Sequence, residues 1–417
     1  MIRKKLCFSL SCQFISIAFA TRILAGILLT IIYTYYYPDR KLADTFRYFD
    51  DSYHLHQLLF ENPKQYFLIL SGLDAEFEVM TPNASDMNNW FPALRTSLYN
   101  DNRTVIRINA ILRWFSFGSY YFHLTLFAFA GFVGQLYLFK AFEKYFITKK
   151  TAFAIILFFI PSVIFWSSGI LKEGPLFLVF GYLIYTLEII SREGLSVKKT
   201  ILIAFLFLIL FHLKFYVALM LIPILTLFWA IKKWKNVSIY VLVLFNYFSF
   251  FAIALIWHFI RWKWSLFTVF KWKKLDFEGL GKVMNAKSAI NSSLPLEDNP
   301  LSFLLNMPIG LFNSIFRPYI WESYSPLILL SALENLVLFV FICFCIYFRK
   351  REKPSIINIC FITYAISLLT IIGMVTPIMG SLVRYKIPAL PFLLLAFLMI
   401  LDTNKLYSKL PFLRPKI

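Results

Sequence analysis

Two aspartates stand side by side in Tyr48-Phe49-Asp50-Asp51-Ser52-Tyr53-His54-Leu55-His56, shortly after the first long apolar run of the chain. Adjacent carboxylates repel each other, so partial burial can raise one pKa and leave a group able to take a proton from an acceptor hydroxyl; the same pair can hold a divalent cation. A second constellation lies in Pro161-Ser-Val-Ile-Phe-Trp166-Ser167-Ser168-Gly169-Ile-Leu-Lys172-Glu173-Gly174-Pro175. An apolar run ends there in small polar residues and another starts at Pro175, which suits the first turn of a helix. Lys172 and Glu173 therefore fall on a tight hairpin. Three more cations follow: Lys214 in a polar break, Arg317 before Pro318, and Arg384 at the start of Arg384-Tyr385-Lys386-Ile387-Pro388-Ala389-Leu390-Pro391. At a membrane boundary such cations bind lipid phosphate, arginine through its planar fork. Each group also has a plainer role, as helix-start acids, a surface ion pair or headgroup anchors.

Other residue types exclude chemistry. Of the five histidines only His54 and His56 are close, and a two-residue spacing on a helix does not put them on one face, so no histidine metal site is expected. Cys7, Cys12, Cys343, Cys345 and Cys360 lie in or beside apolar runs and read as small apolar residues rather than a disulfide framework or zinc site.

The elements that position these groups are membrane spans. Hydrophobic residues make up 59% and charged residues 15% of the 417, a balance that leaves a soluble domain without a polar surface. Runs of about 20 apolar residues, the length a spanning helix needs, recur along the chain. They predict an all-α polytopic bundle of about ten spans, a single integral membrane domain over 1–417. The spans fall near 14–37, 119–142, 151–168, 174–190, a broken pair over 200–231, then 237–258, 325–348, 355–375 and 386–401. Arg22 is expected to snorkel from the first span toward the inner face. Glu334, deep in a span, is expected to face inward and pair with a polar neighbour.

Charge sets the orientation. With both termini in the cytoplasm, short inner segments hold half of the 42 Lys and Arg, whereas the short outer turns hold Lys172, Lys214, Arg384 and Lys386. The net charge of +20 is thus a topology signal, and nucleic acid is not an expected partner. Two large extracytoplasmic loops result, 38–118 and 259–324, each with interfacial helices. The first combines a helical stretch over Thr45–Leu59 with turn signals at Asn62-Pro63 and Thr81-Pro82-Asn83. The second opens with interleaved aromatic and basic residues, at His258 to Trp264 and Phe270 to Lys274, suited to the outer leaflet. The sequons at Asn83, Asn102, Asn236 and Asn291 are short enough to arise by chance.

In these residues the chain resembles the glycosyltransferase C superfamily, membrane enzymes that take a sugar from a polyprenyl-phosphate carrier, and in particular the protein O-mannosyltransferases and aminoarabinose transferases. Asp50-Asp51 with Tyr53 is similar to the acidic motif of the family's first outer loop. Pro161, Trp166-Ser167 and Lys172-Glu173-Gly174-Pro175 resemble the end of its third span and the following acidic loop, with Glu where Asp is usual. Lys214 with Pro223 resembles a lysine before a proline-containing span, and Arg384-Tyr385 with Pro388 and Pro391 a late Arg-Tyr-x-x-Pro segment. The likeness covers about the first 230 residues and the last 40. It implies transfer of a sugar to an extracytoplasmic glycan, lipid or protein in a membrane with a polyprenyl pathway, and the lack of organellar signals favours a bacterial inner membrane. Asp50 or Asp51 then acts as base and Glu173 orients it or binds a divalent cation, with the metal left open. Lys172, Lys214, Arg384, Tyr385 and Arg317 hold the donor phosphate. Two rivals share the architecture: an O-antigen-type polysaccharide polymerase depending chiefly on Arg317 and Arg384, and a lipid-linked saccharide transporter or flippase. The lack of an internal repeat weighs against the transporter.

Overall fold

The computed structural model describes residues 9–36, 39–72, 87–90, 101–260, 264–283, 289–290 and 295–413. The basic start Met1–Lys5, Cys7, the turn at Thr81-Pro82-Asn83, Arg261-Trp262-Lys263 and the sequon asparagines Asn83 and Asn291 lie outside the described residues. Among those described, the regular structure is helical, with two isolated backbone bridges.

Among the described residues seven helices are long and apolar enough to cross a membrane, and an eighth crossing results if a pair bent by 60°, Met379–Tyr385 and Leu390–Ile400, counts as one. About ten spans are not confirmed, and the shortfall falls in two places. The run at 151–168 breaks at Pro161, whose ring and missing N–H interrupt the helical hydrogen bonds, leaving Lys150–Phe159 and Pro161–Trp166. Half of the broken pair, Val197–Leu213, has 17 residues and a length of about 26 Å, short of the roughly 30 Å hydrocarbon layer.

The chain divides into two compact units, Met1–Lys144 with Leu157–Phe215, and Tyr145–Ile156 with Tyr216–Ile417. The first contains α1 (Cys12–Tyr36), α2 (Asp44–Glu61), α3 (Pro63–Ser71), α4 (Asn102–Ser116) and α5 (Tyr120–Phe142), the end of α6 (Lys150–Phe159), then α7 (Pro161–Trp166), α8 (Glu173–Glu193) and α9 (Val197–Leu213). Local signals set the ends. Asn62 accepts from Gln65 N–H at the start of α3, Ser119 from Phe122 N–H at the start of α5, and Ser196 from Lys199 N–H at the start of α9. The two long spans α5 and α8 touch backbone to backbone, because Gly134 and Gly181 face each other's carbonyl-bearing turns with no room for a Cβ. Helices α2 and α4 of the first loop pack on each other, and their Tyr48, Val105 and Ile106 join Leu29, Ile170 and Leu171 in one core.

The second unit contains α10 (Phe215–Lys233) from Tyr216 onward, α11 (Ile239–Ile260), α12 (Leu266–Val283), α13 (Pro300–Phe316), α14 (Pro326–Tyr347), α15 (Ile356–Val375), α16 (Met379–Tyr385), α17 (Leu390–Ile400) and α18 (Thr403–Lys409). The second loop is more than a surface layer: α13 lies against the span α15, Gly310 on Gly373, and α12 buries Phe267, Phe270, Lys274 and Asp276. Lys149 closes the C-terminus of α17 by donating to the carbonyls of Leu398, Met399 and Leu401 at 2.8, 3.3 and 2.5 Å, where a cation suits the helix dipole.

Candidate functional site

The hairpin from Ser167 to Glu173 is buried along its whole length. It is also sunk within the first unit. A Cβ on Gly26 of α1 would meet Ser168 O at 2.7 Å, and one on Gly169 would touch Leu29 at 3.0 Å. Helix α1 continues from Leu29 to Tyr36, seven residues or about 10 Å farther. On the other side Gly174 abuts the carbonyl of Phe127, seven residues or about 10 Å below the start of α5 at Tyr120. Helix α7 leads into this hairpin, and first-loop side chains of α2 and α4 pack onto its tip at Ile170 and Leu171.

Two ion pairs meet on consecutive residues there. Lys172 Nζ lies 2.7 Å from Asp101 Oδ1, with side chains 6% and 29% exposed, and Tyr48 presents its ring 5.9 Å from the same ammonium. The Tyr48 hydroxyl donates to Asn102 Oδ1 at 2.9 Å, which ties α2 to the start of α4 beside Asp101. Glu173 Oε1 accepts from Lys214 Nζ at 2.7 Å, and both side chains are wholly enclosed. Lys214 occupies the one-residue break between α9 and α10, in extended backbone, and this break carries its ammonium to the first turn of α8. A buried pair of this kind is costly to desolvate and is held by good geometry alone.

The two predicted aspartates separate. Asp50 is half exposed and takes a two-pronged grip from Arg40, with Nε at 2.7 Å and Nη2 at 2.9 Å. Asp51 points inward: its two oxygens accept the backbone N–H groups of Asn88 at 2.8 Å and Asn89 at 2.6 Å. Burial pushes the Asp51 carboxyl above its usual range, and the two amide bonds oppose that shift. Its geometry is that of a clamp on the 87–90 segment. The acid that does meet Lys172 is Asp101, which the sequence reading passed over.

Arg22 corrects an expectation. It does not snorkel but is fully enclosed in α1, where Nη1 donates to Ser167 O at 3.2 Å. An arginine ten residues inside a 25-residue helix is too far from either end for its stem to reach the headgroups, so it turns to the hairpin backbone.

The remaining predicted residues belong to the second unit. Arg384 is buried at the end of α16, and Tyr385 meets Tyr216 and Phe277 edge-on at 5.9 and 5.5 Å. Arg317 follows α13, 3.4 Å from Glu322, and ends an open groove of about 380 Å³ lined by Pro308, Ile309, Phe312 and Asn313. Buried Lys386 donates to Asn335 Oδ1 at 2.7 Å and to the carbonyls of Arg317 and Ser314, which fixes Arg317 beside α14. The charge of Glu334 also acts on Lys386. Among the described residues, no three of His, Cys, Asp and Glu gather as metal ligands. Compared with known proteins, the chain matches no family model, no curated protein and no solved structure.

Proposed function

We propose that the protein is a membrane glycosyltransferase that moves a sugar from a polyprenyl-phosphate donor to a saccharide, lipid or protein acceptor on the extracytoplasmic face of a bacterial inner membrane. The observation that carries this reading is the contact between Asp101 and Lys172 on the sunken hairpin. In the transfer, the acceptor hydroxyl oxygen bonds to the anomeric carbon as the bond from that carbon to the phosphate oxygen breaks. The hydroxyl proton passes to Asp101 and the polyprenyl phosphate leaves. Protonation of Asp101 frees the Lys172 charge just as negative charge builds on the leaving phosphate, so the attraction is greater in the transition state than in the ground state. Asp50, open to solvent beside Arg40, is the alternative base. Glu173 and Lys214 hold the hairpin in register, and no metal is required by this scheme.

The test is reconstitution of purified protein with a polyprenyl-phosphate sugar and detection of new glycosidic product. Asp101→Asn and Lys172→Met should each lower turnover by about 10²-fold or more. Full activity in Asp101→Asn and Asp50→Asn alike removes the mechanism. Lipid moved across the bilayer with no new glycosidic bond makes the protein a flippase instead.

The groove ending at Arg317 favours a second reading, an O-antigen-type polymerase, in which a lipid tail lies along Phe312 and the guanidinium takes the phosphate. Under that reading Arg317→Ala and Arg384→Ala abolish product while Asp101→Asn does not.

A further inference from the structure

Four of the charges around the hairpin cancel in pairs, Asp101 with Lys172 and Glu173 with Lys214. Arg22 is a fifth, and among the described residues no carboxylate pairs with it. Its guanidinium is 0% exposed and makes one bond, to Ser167 O, leaving Nε and Nη2 without an acceptor. The same position is crowded by backbone: a Cβ on Gly131 of α5 would lie 2.6 Å from Arg22 Nη1, 2.8 Å from Ser167 O and 3.4 Å from the Gly174 Cα. Three elements thus meet around one cation with little but main chain between them.

Gln135 stands one helical turn past Gly131 on the same face of α5, and a helical side chain leans toward the N-terminal turn, here toward Gly131 and Arg22. It is 0% exposed, and neither its amide oxygen nor its amide nitrogen has a partner. On the same two helices Phe19 of α1 packs on Phe129 and Phe132 of α5. A lone full charge with free donors inside a membrane bundle calls for negative charge beside it, because hydrocarbon and aromatic walls supply no solvation.

We propose that Arg22 and Gln135 form a binding site for a small monatomic anion of the halide class inside the first unit. Arg22 Nε–H and Nη2–H and the Gln135 amide N–H are its donors. Complete enclosure selects a small ion over a phosphate or a carboxylate. The ion neutralises Arg22 beneath the hairpin and so stabilises the turn that carries Lys172 and Glu173. The inference stands on these contacts alone and holds whether or not the protein transfers sugars.

Thermal unfolding of the purified full-length protein, in sodium chloride or bromide against sodium gluconate at equal ionic strength, tests it. The expected result is a midpoint that rises saturably with halide in the wild type. In Gln135→Leu that halide response weakens severalfold or disappears, while the protein still folds in gluconate. Arg22→Lys, which keeps the charge with fewer donors in line, should shift the half-saturating halide concentration upward. A wild-type midpoint equal in halide and gluconate overturns the proposal, since an enclosed water would serve in its place. An unchanged halide response in Gln135→Leu overturns it as well.

Discussion

At the scale of single residues, the charges on the hairpin work in pairs, Lys172 with Asp101 and Glu173 with Lys214. Glu173→Gln removes the carboxylate charge 2.7 Å from the enclosed Lys214 ammonium, and the expected loss is about 3–5 kcal/mol. Replacing both, Glu173→Leu with Lys214→Met, should recover much of that loss, and unfolding in detergent compares the two. Asp51→Asn retains one acceptor for the two amides of Asn88 and Asn89; it should cost about 1.5–3 kcal/mol and speed proteolysis of the first loop. His56 adds a pH dependence. Burial and the nearby Arg113 cation hold its pKa below the ordinary 6.5. The folded state therefore binds a proton less readily than the unfolded chain, and stability falls as pH drops below about 6.5. The first loop should unfold more easily near pH 5 than near pH 7, and His56→Phe should flatten that dependence in an unfolding series. These pairings were only partly legible beforehand. Residue types and local spacing marked Asp50, Asp51, Lys172, Glu173 and Lys214, but not their partners. Asp51 finds amides 37 and 38 residues away, and Lys172 finds an acid 71 positions earlier that has no motif around it.

At the scale of elements, helix boundaries follow the apolar runs closely because a span is defined by transfer of side chains into hydrocarbon, a local property. The break at Lys214 was visible for the same reason, since His212-Leu213-Lys214 interrupts an otherwise unbroken run. What escaped was tertiary. Pro161 splits a run that counts as long enough by composition, and α13 docks on α15 through Gly310 and Gly373, a fit that depends on which faces meet. Gly134 and Gly181 make the same kind of contact between α5 and α8. Gly181→Ala should therefore destabilise strongly, on the order of 1–3 kcal/mol or more as an overpacked site, while Gly279→Ala, where a Cβ meets nothing, should be nearly silent. Yield of folded protein in detergent separates the two.

At the scale of the whole molecule, seven to eight helices among the described residues are long and apolar enough to cross a membrane, which marks this as an integral membrane protein. The distribution of basic residues predicts which ends face the cytoplasm. Cysteines introduced at Ser196 and Lys235 should be shielded from an impermeant thiol reagent in intact cells, whereas one at Asp39 should react. The opposite labelling pattern would reverse the orientation and put the hairpin on the wrong side for an extracytoplasmic reaction. The sunken hairpin has an electrical side. If the ends of α1 and α5 mark the outer edge of a 30 Å insulating layer, a hairpin about 10 Å below them lies roughly a third of the way in, and an anion reaching Lys172 crosses that share of any voltage. At 100 mV the work is about 0.8 kcal/mol per charge, close to a fourfold change in occupancy. Ligand binding in energised vesicles should then differ from binding in detergent, with the sign fixed by the polarity of the field.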